Sequence, residues 1–410
     1  MMRSRILQLK QEYPSQFWLL FAGMFISVLG MSMIWPFLMI YAKNKLALPM
    51  SQVASLMTVN AATALFFSFI AGTIIDRFGR KWTMVFSLFA NGTGFLLFNQ
   101  AGTLTAFALI MALRGAVNPL YQIGADAMLA DLIAPEKRAD AYALTRMSKN
   151  AAIALGPAIG GFLADISYSI TFYFAAAGLA VFAILIAVMA VETRPREESY
   201  ITPAVEPFAG YGRIFRDRPF MGMVIGFTMT QICSTLVWVL LGVYVTENFG
   251  LKESLYGFIP MTNALIVVAF QVSVTNRSKK FPPLWVMTIG TSLYALAVSS
   301  VALGTGFWGF WLSMVILTSG ELLLVPTATA VAANLAPINM RGRYMGFYSL
   351  SWQVAAGIGP LIGGILNDSI SPQAIWYGGG VIGLIATLNF IRMARRQSVM
   401  NIDSSGSFSS

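Results

Sequence analysis

Glu321, Asp126 and Arg114 are the residues through which this sequence offers chemistry, because each stands inside a long run of apolar residues. A charge at the centre of a bilayer costs roughly 2.5–3.5 kcal/mol on insertion scales, so it persists only where a partner or a function holds it. A carboxylate in such a place can take up a proton or a cation and release one as the other arrives. Burial disfavours the charged form of a carboxylate, so competition of proton and cation for one site amounts to exchange. The sequence has no histidine and one cysteine, Cys233. Proton traffic must therefore run through carboxylates rather than imidazole, and neither a metal cluster nor an internal disulfide is possible. No GxxxxGK[ST] phosphate loop and no nucleophile–base pairing occurs, so the reading is of a non-enzyme without cofactors.

Arg114 falls about eleven residues into its apolar run and Glu321 about fifteen into its own, near the middle of each. Asp126 lies twelve residues beyond Arg114, and Asn118 one helical turn beyond it. The competing structural reading is a buried ion pair of Arg114 with Glu321 or Asp126.

The elements that must position these residues follow from composition. Of 410 residues 57% are hydrophobic and 11% charged, against about 25% charged in an ordinary soluble domain. Mean hydropathy is +0.70. Twelve apolar runs occur, at about 17–42, 51–75, 82–98, 103–131, 139–165, 170–191, 219–246, 253–275, 284–303, 306–333, 343–367 and 373–394. Most reach the ~20 residues a helix needs to cross ~30 Å of hydrocarbon. The fold class is an all-α polytopic membrane protein with twelve transmembrane helices.

The net charge of +10 does not mark a nucleic-acid binder. Of 27 Lys and Arg, 21 fall in alternate connections and in the two tails, while the opposite connections hold Lys43, Lys45 and Lys252. This positive-inside bias predicts a multi-pass protein of the plasma (inner) membrane with both termini cytoplasmic and its basic loops facing anionic lipid. The first run is too long for a signal-peptide core and reads as a retained helix.

The chain reads as an N-terminal bundle over 1–191, a charged and proline-containing cytoplasmic linker over 192–218, a C-terminal bundle over 219–397, and a serine-rich disordered tail over 398–410. The halves repeat at an offset of 203. Arg138 meets Arg341, Gly156-Pro157 meets Gly359-Pro360, Gly160-Gly161 meets Gly363-Gly364, Asp165 meets Asp368, and Asn118 meets Glu321. A parallel six-helix repeat predicts two pseudo-symmetric bundles.

Between the uncharged stretches 51–71 and 82–113 lies GTIIDRFGRK, residues Gly72 to Lys81. It predicts a tight turn at a membrane face. Gly72 and Gly79 allow close approach and positive φ, while Arg77, Arg80 and Lys81 anchor to phosphates and acids. The simpler reading, a basic lipid anchor, accounts for the cations but not for Asp76 or the glycines. With the repeat, this loop makes the chain resemble the major facilitator superfamily, most closely its twelve-helix drug/proton antiporter branch. The loop is similar to the superfamily's signature between helices two and three, with Ile75 in place of the usual small residue. Gly156–Gly161, GPAIGG, matches the antiporter motif of the fifth helix, with Ala152 where a further glycine is usual. The second-half counterpart, TNRSKKF at 275–281, is degenerate, with Asn276 in the place of Asp76.

The resemblance implies a secondary transporter working by alternating access. It implies Asp131 as an ion-pair partner of the loop and a conformational latch made by Gly72, Asp76, Arg77, Gly79, Arg80 and Asp131. It also places helices one, four, seven and ten around a central cavity, which brings Arg114, Asn118 and Glu321 there. Glu321 is then the first candidate for proton coupling and cation recognition, and Asp126 the second. Trp35, Tyr41, Tyr121, Gln231 and Trp238 on the same helices are candidates for the substrate cavity, although aromatic and Met residues mostly face lipid or fill helix contacts. Gly156-x-x-x-Gly160 and Gly359-x-x-x-Gly363 offer small faces for close packing, and Pro157 and Pro360 either sit passively in that packing or serve as hinges. The expected activity is proton-coupled efflux of lipophilic or cationic drugs by a monomer. The alternatives are a metabolite carrier for sugars, organic acids or lipids, and a non-transporting membrane sensor.

Overall fold

The computed structural model describes residues 12–193, 211–337 and 340–406. Arg3, Arg5, Lys10 and the greater part of the linker lie outside the described residues. Twelve long helices run through the rest: α1 (Ser15–Ile34), α2 (Met50–Phe78), α3 (Arg80–Gln100), α4 (Leu104–Leu132), α5 (Arg138–Ile166), α6 (Tyr168–Met189), α7 (Arg218–Phe249), α8 (Glu253–Ser278), α9 (Pro283–Val301), α10 (Phe307–Leu335), α11 (Arg341–Ser369) and α12 (Ala374–Gly406). Ten of them are long and apolar enough to cross a membrane; α3 and α5 are more polar. The polarity of α5 sits in its first half, with Arg138, Asp140, Arg146 and Lys149.

The structure departs from the sequence reading at two places. The first run is broken: α1 stops at Ile34, and a short helix, Leu38–Leu46, resumes after Trp35-Pro36-Phe37. Pro36 supplies no N–H and collides with the carbonyl four residues earlier. At the other end of the chain α12 continues as helix to Gly406, where the composition had suggested a tail from residue 398.

Contacts divide the chain into two units. The first holds α1, α3–α6, α2 from Ser55 onward, and Gly250–Ala264 of the α8 region. The second holds α7, α9–α12, Pro49–Ala54, and α8 from Leu265 onward. Within the first unit α1 packs on α5 and α6, and α3 on α4 and α6; within the second, α7 packs on α11 and α12, and α9 on α10 and α12. These are the same pairs six helices apart, as the 203-residue repeat requires. Large apolar residues such as Phe66, Val188 and Leu303 point outward, the surface a helical protein presents to lipid.

Candidate functional site

The charges inside the spans occupy different surroundings. Arg114 on α4 is buried, with its guanidinium carbon 3.8 Å from the centroid of Phe95 and 5.8 Å from that of Phe98 on α3. Its Nε donates to Asn91 Oδ1 at 3.4 Å, and Gly94 leaves room for the aliphatic stem. Among the described residues of its unit Arg114 forms no ion pair, so it does not pair with Asp126. An aromatic clasp and an amide satisfy it instead, and a desolvated cation over a ring gains about 2 kcal/mol. Asp126, exposed near the end of α4, faces Lys149 of α5, and its backbone carbonyl accepts from the Tyr142 hydroxyl at 3.2 Å.

Glu321 is half-buried midway along α10, within electrostatic reach of Tyr294 on α9. Asn118 is half-buried on α4. Gln231 on α7 is fully buried, and neither end of its amide finds a hydrogen-bond partner among the described residues. A buried polar group left unpaired costs about 1–3 kcal/mol, so this amide is the strongest polar candidate for a group that arrives with a ligand. Trp238, two turns on, is half-buried, and Trp35 sits in the break after α1. Tyr121 is buried edge-to-face against Phe182. Tyr41 is fully engaged in the first unit: its hydroxyl donates to Phe98 O at 3.0 Å and accepts from Lys45 at 2.8 Å.

The charged word at Gly72–Lys81 is nearly all helix. α2 runs through Phe78, Gly79 alone reverses the chain at φ 88°, and α3 begins at Arg80. Gly72, expected to permit close approach or positive φ, is helical with open space around it; one glycine suffices for the turn. Arg80 Nε lies 3.1 Å from Asp131 Oδ2 and its Nη1 3.7 Å from the exposed Asp76. Glu192, just after α6, closes the arrangement: its two oxygens accept from the backbone N–H of Arg80 and Lys81, each at 3.0 Å. A carboxylate at a helix N-terminus satisfies free donors and complements the dipole. A Cβ on Gly79 would strike it.

The glycine pairs of α5 and α11 pack in the same way in each unit. Gly156 and Gly160 of α5 abut Ser32 and Met33 of α1, while Gly359 and Gly363 of α11 abut Thr235, Leu236 and Leu240 of α7. Ser32 donates to Ala152 O at 3.1 Å, and Thr235, 203 residues later, donates to Ala355 O at 3.0 Å. Both α5 and α11 pass through Pro157 and Pro360 without interruption.

One turn beyond each pair stands an aspartate. In the first unit Asp165 accepts from the backbone N–H of Ser254 at the start of α8, at 3.1 Å. In the second, Asp368 accepts from Met50 N at 3.0 Å and Ser51 N at 2.7 Å at the start of α2. Ser51 and Ser254 are themselves 203 residues apart. Gly161 and Gly364 open the way, since a Cβ on Gly161 would strike the backbone of Glu253 and one on Gly364 that of Ser51.

The sequence profile described as Major Facilitator Superfamily matches residues 20–241 and 223–406. The chain belongs to that superfamily. It is 27% identical over 391 residues to a Na(+), Li(+), K(+)/H(+) antiporter of Planococcus maritimus, covering 87% of this chain and 90% of that protein. It is also 27% identical over 342 residues to the multidrug resistance protein MdtH of Yersinia enterocolitica, covering 82% and 84%. Among solved structures it is similar to the nucleoside transporter NupG, with a TM-score of 0.77 at 13% identity over 93% of this chain and 99% of that one. A similar likeness, TM-score 0.78 at 13% identity, links it to a bacterial homolog of the human lysosomal transporter Spinster, covering 92% and 96%. This superfamily member is therefore a multi-pass membrane transporter with the two-bundle fold.

Glu192, Lys149, Asn91, Ser51 and Ser254 carry little in the sequence to mark them. Glu192 reads as the first residue of a linker, and Lys149 as one more charge in α5. Asn91 looks like an ordinary polar residue in α3. Ser51 and Ser254 carried a signal, their 203-residue spacing, that only the helix-start geometry makes meaningful.

Proposed function

We infer that this superfamily transporter exports lipophilic, cationic compounds across the cell membrane in exchange for protons, with both termini in the cytoplasm. The observation that carries the reading is Glu321, a half-buried carboxylate in the middle of α10, at a depth where a permanent charge is costly. A cation approaching Glu321 favours its ionised form and expels the proton; proton return then favours release. The amide of Gln231, without a partner among the described residues, supplies a donor and an acceptor to a ligand's polar group, and the aromatic surface of Trp238 suits a flat apolar body. The similarity to MdtH supports a drug-like substrate. Alternating access uses two latches: the Gly79 turn with Asp76, Arg80 and Asp131 on the cytoplasmic side, and Asp165 and Asp368, which cap the starts of α8 and α2, on the outer side. The protein acts as a monomer.

A second reading, exchange of a monovalent metal cation for protons at the same carboxylate, is favoured by the similarity to the Planococcus antiporter. Inverted vesicles separate the two. Ethidium accumulation that collapses when the proton gradient is discharged supports drug export. Gradient-dependent movement of Na⁺ without ethidium supports the second reading, and movement of neither removes both.

A further inference from the structure

At one end of the second unit, four helices surround a cavity of about 550 Å³ that none of the transport chemistry uses. Its polar groups are Arg218, the first residue of α7, Asn334 in the last turn of α10, and Arg396, where α12 leaves its apolar span. Its apolar wall includes Leu284 at the start of α9, Leu335 at the end of α10, and Met393. No acid lines it. Arg218 and Arg396 form no ion pair among the described residues. Asp217, the acid nearest in sequence, is occupied elsewhere: its Oδ1 caps α7 by accepting from Phe220 N at 3.1 Å, and its Oδ2 accepts from the Tyr344 hydroxyl at 3.0 Å.

Two guanidinium groups without an ion pair among the described residues, over an apolar wall at the ends of spanning helices, call for a ligand with an anionic head and an apolar body. We propose that this cavity binds an anionic phospholipid of the cytoplasmic leaflet. Its phosphate would be held by Arg218 and Arg396, and its glycerol and first methylenes would lie against Leu284, Leu335 and Met393. Guanidinium forks match phosphate oxygens in pairs, and basic pockets between spanning helices are a recurrent means of selecting acidic headgroups. The volume falls within the range of small-molecule sites, ample for a headgroup with the upper part of its chains. Two lining arginines with no acid beside them among the described residues set the preference for a net-negative lipid over a zwitterionic one. The choice of leaflet rests on the orientation inferred above.

The test uses the full-length protein purified in detergent, with phosphatidylglycerol or phosphatidylcholine added and retained lipid counted by native mass spectrometry. Wild type is expected to retain phosphatidylglycerol in preference. The Arg218→Gln/Arg396→Gln double variant should retain roughly 30-fold less, from two lost basic contacts. Met393→Trp, which fills the cavity and leaves both arginines in place, should also lose retention, while Arg392→Gln should not. Unchanged retention in the double variant would overturn the proposal. So would loss by charge removal without loss by Met393→Trp, which would mark diffuse electrostatics, or equal displacement by free glycerol phosphate, which would mark a soluble ligand. Maleimide labelling of Arg395→Cys from either side of vesicles reports orientation separately, so a wrong orientation and a wrong lipid site give different results.

Discussion

Asp368→Asn is the substitution whose consequence the geometry defines most closely. The carboxylate accepts two backbone N–H bonds, at 3.0 Å from Met50 and 2.7 Å from Ser51. Hydrogen bonds to a charged group contribute about 1.5–3 kcal/mol each, with a further ~0.3–1 kcal/mol from an anion at a helix N-terminus. Asparagine keeps one oxygen and loses the charge, and solvent exposure of Asp368 draws the effect to the lower end. A loss of about 1.5 kcal/mol follows, or roughly tenfold in the population in which the start of α2 is released. Val53, fully buried one turn along, supplies the reporter. In a Cys233→Ser background, Val53→Cys should react with a membrane-impermeant maleimide about tenfold faster once Asp368 is Asn. Asp165 holds a single N–H, at 3.1 Å, so Asp165→Asn should accelerate a matching Ile259→Cys reporter less, about threefold. Labelling rates unchanged in both variants, with protein yield and melting intact, would refute the latch role and leave two surface caps.

Three further outcomes are expected. Gly79→Ala forces a side chain into positive φ and against Glu192, and should lower stability by about 1–2 kcal/mol, read as a fall in melting temperature in detergent; Glu192→Gln should fall less, and an unchanged Gly79→Ala would show that the turn adapts. Gly160→Leu drives a side chain into the backbone of Met33 and should cost at least the ~1–3 kcal/mol of an overpacked core, whereas the same change at Gly72, which faces open space, should cost little; equal costs would remove the close-packing account. Arg114→Lys keeps the charge but loses the flat stack on Phe95, and should destabilise by about 1–2 kcal/mol. Full stability there would show that charge alone holds the site.

The fold was legible because its signals are long-range averages. Twelve apolar runs, an alternating distribution of cations and a 203-residue repeat each sum over many residues, so single exceptions such as Pro36 moved only a boundary. Local geometry was less legible. Gly72 and Gly79 look alike in sequence, but only Gly79 needs positive φ, because one left-handed residue completes the reversal. Arg114 invited an acidic partner, since charge complementarity is the first expectation for a buried cation. Its actual partners, Asn91 and the faces of Phe95 and Phe98, carry no charge to announce them. The capping role of Glu192 was hidden by its place at the edge of a charged linker. Asp165 and Asp368 were visible as repeat matches, but their purpose required the backbone donors of Ser254, Met50 and Ser51.

Exchange of a proton for a cationic substrate at Glu321 is the step on which the proposed function turns. Ethidium transport into inverted vesicles should be measured for wild type and Glu321→Gln, with an imposed proton gradient and, separately, as gradient-free exchange of labelled for unlabelled ethidium. The variant should insert normally, lose gradient-driven accumulation, and show no response of residual exchange to pH. Gradient-driven accumulation at the wild-type rate in Glu321→Gln would contradict that step.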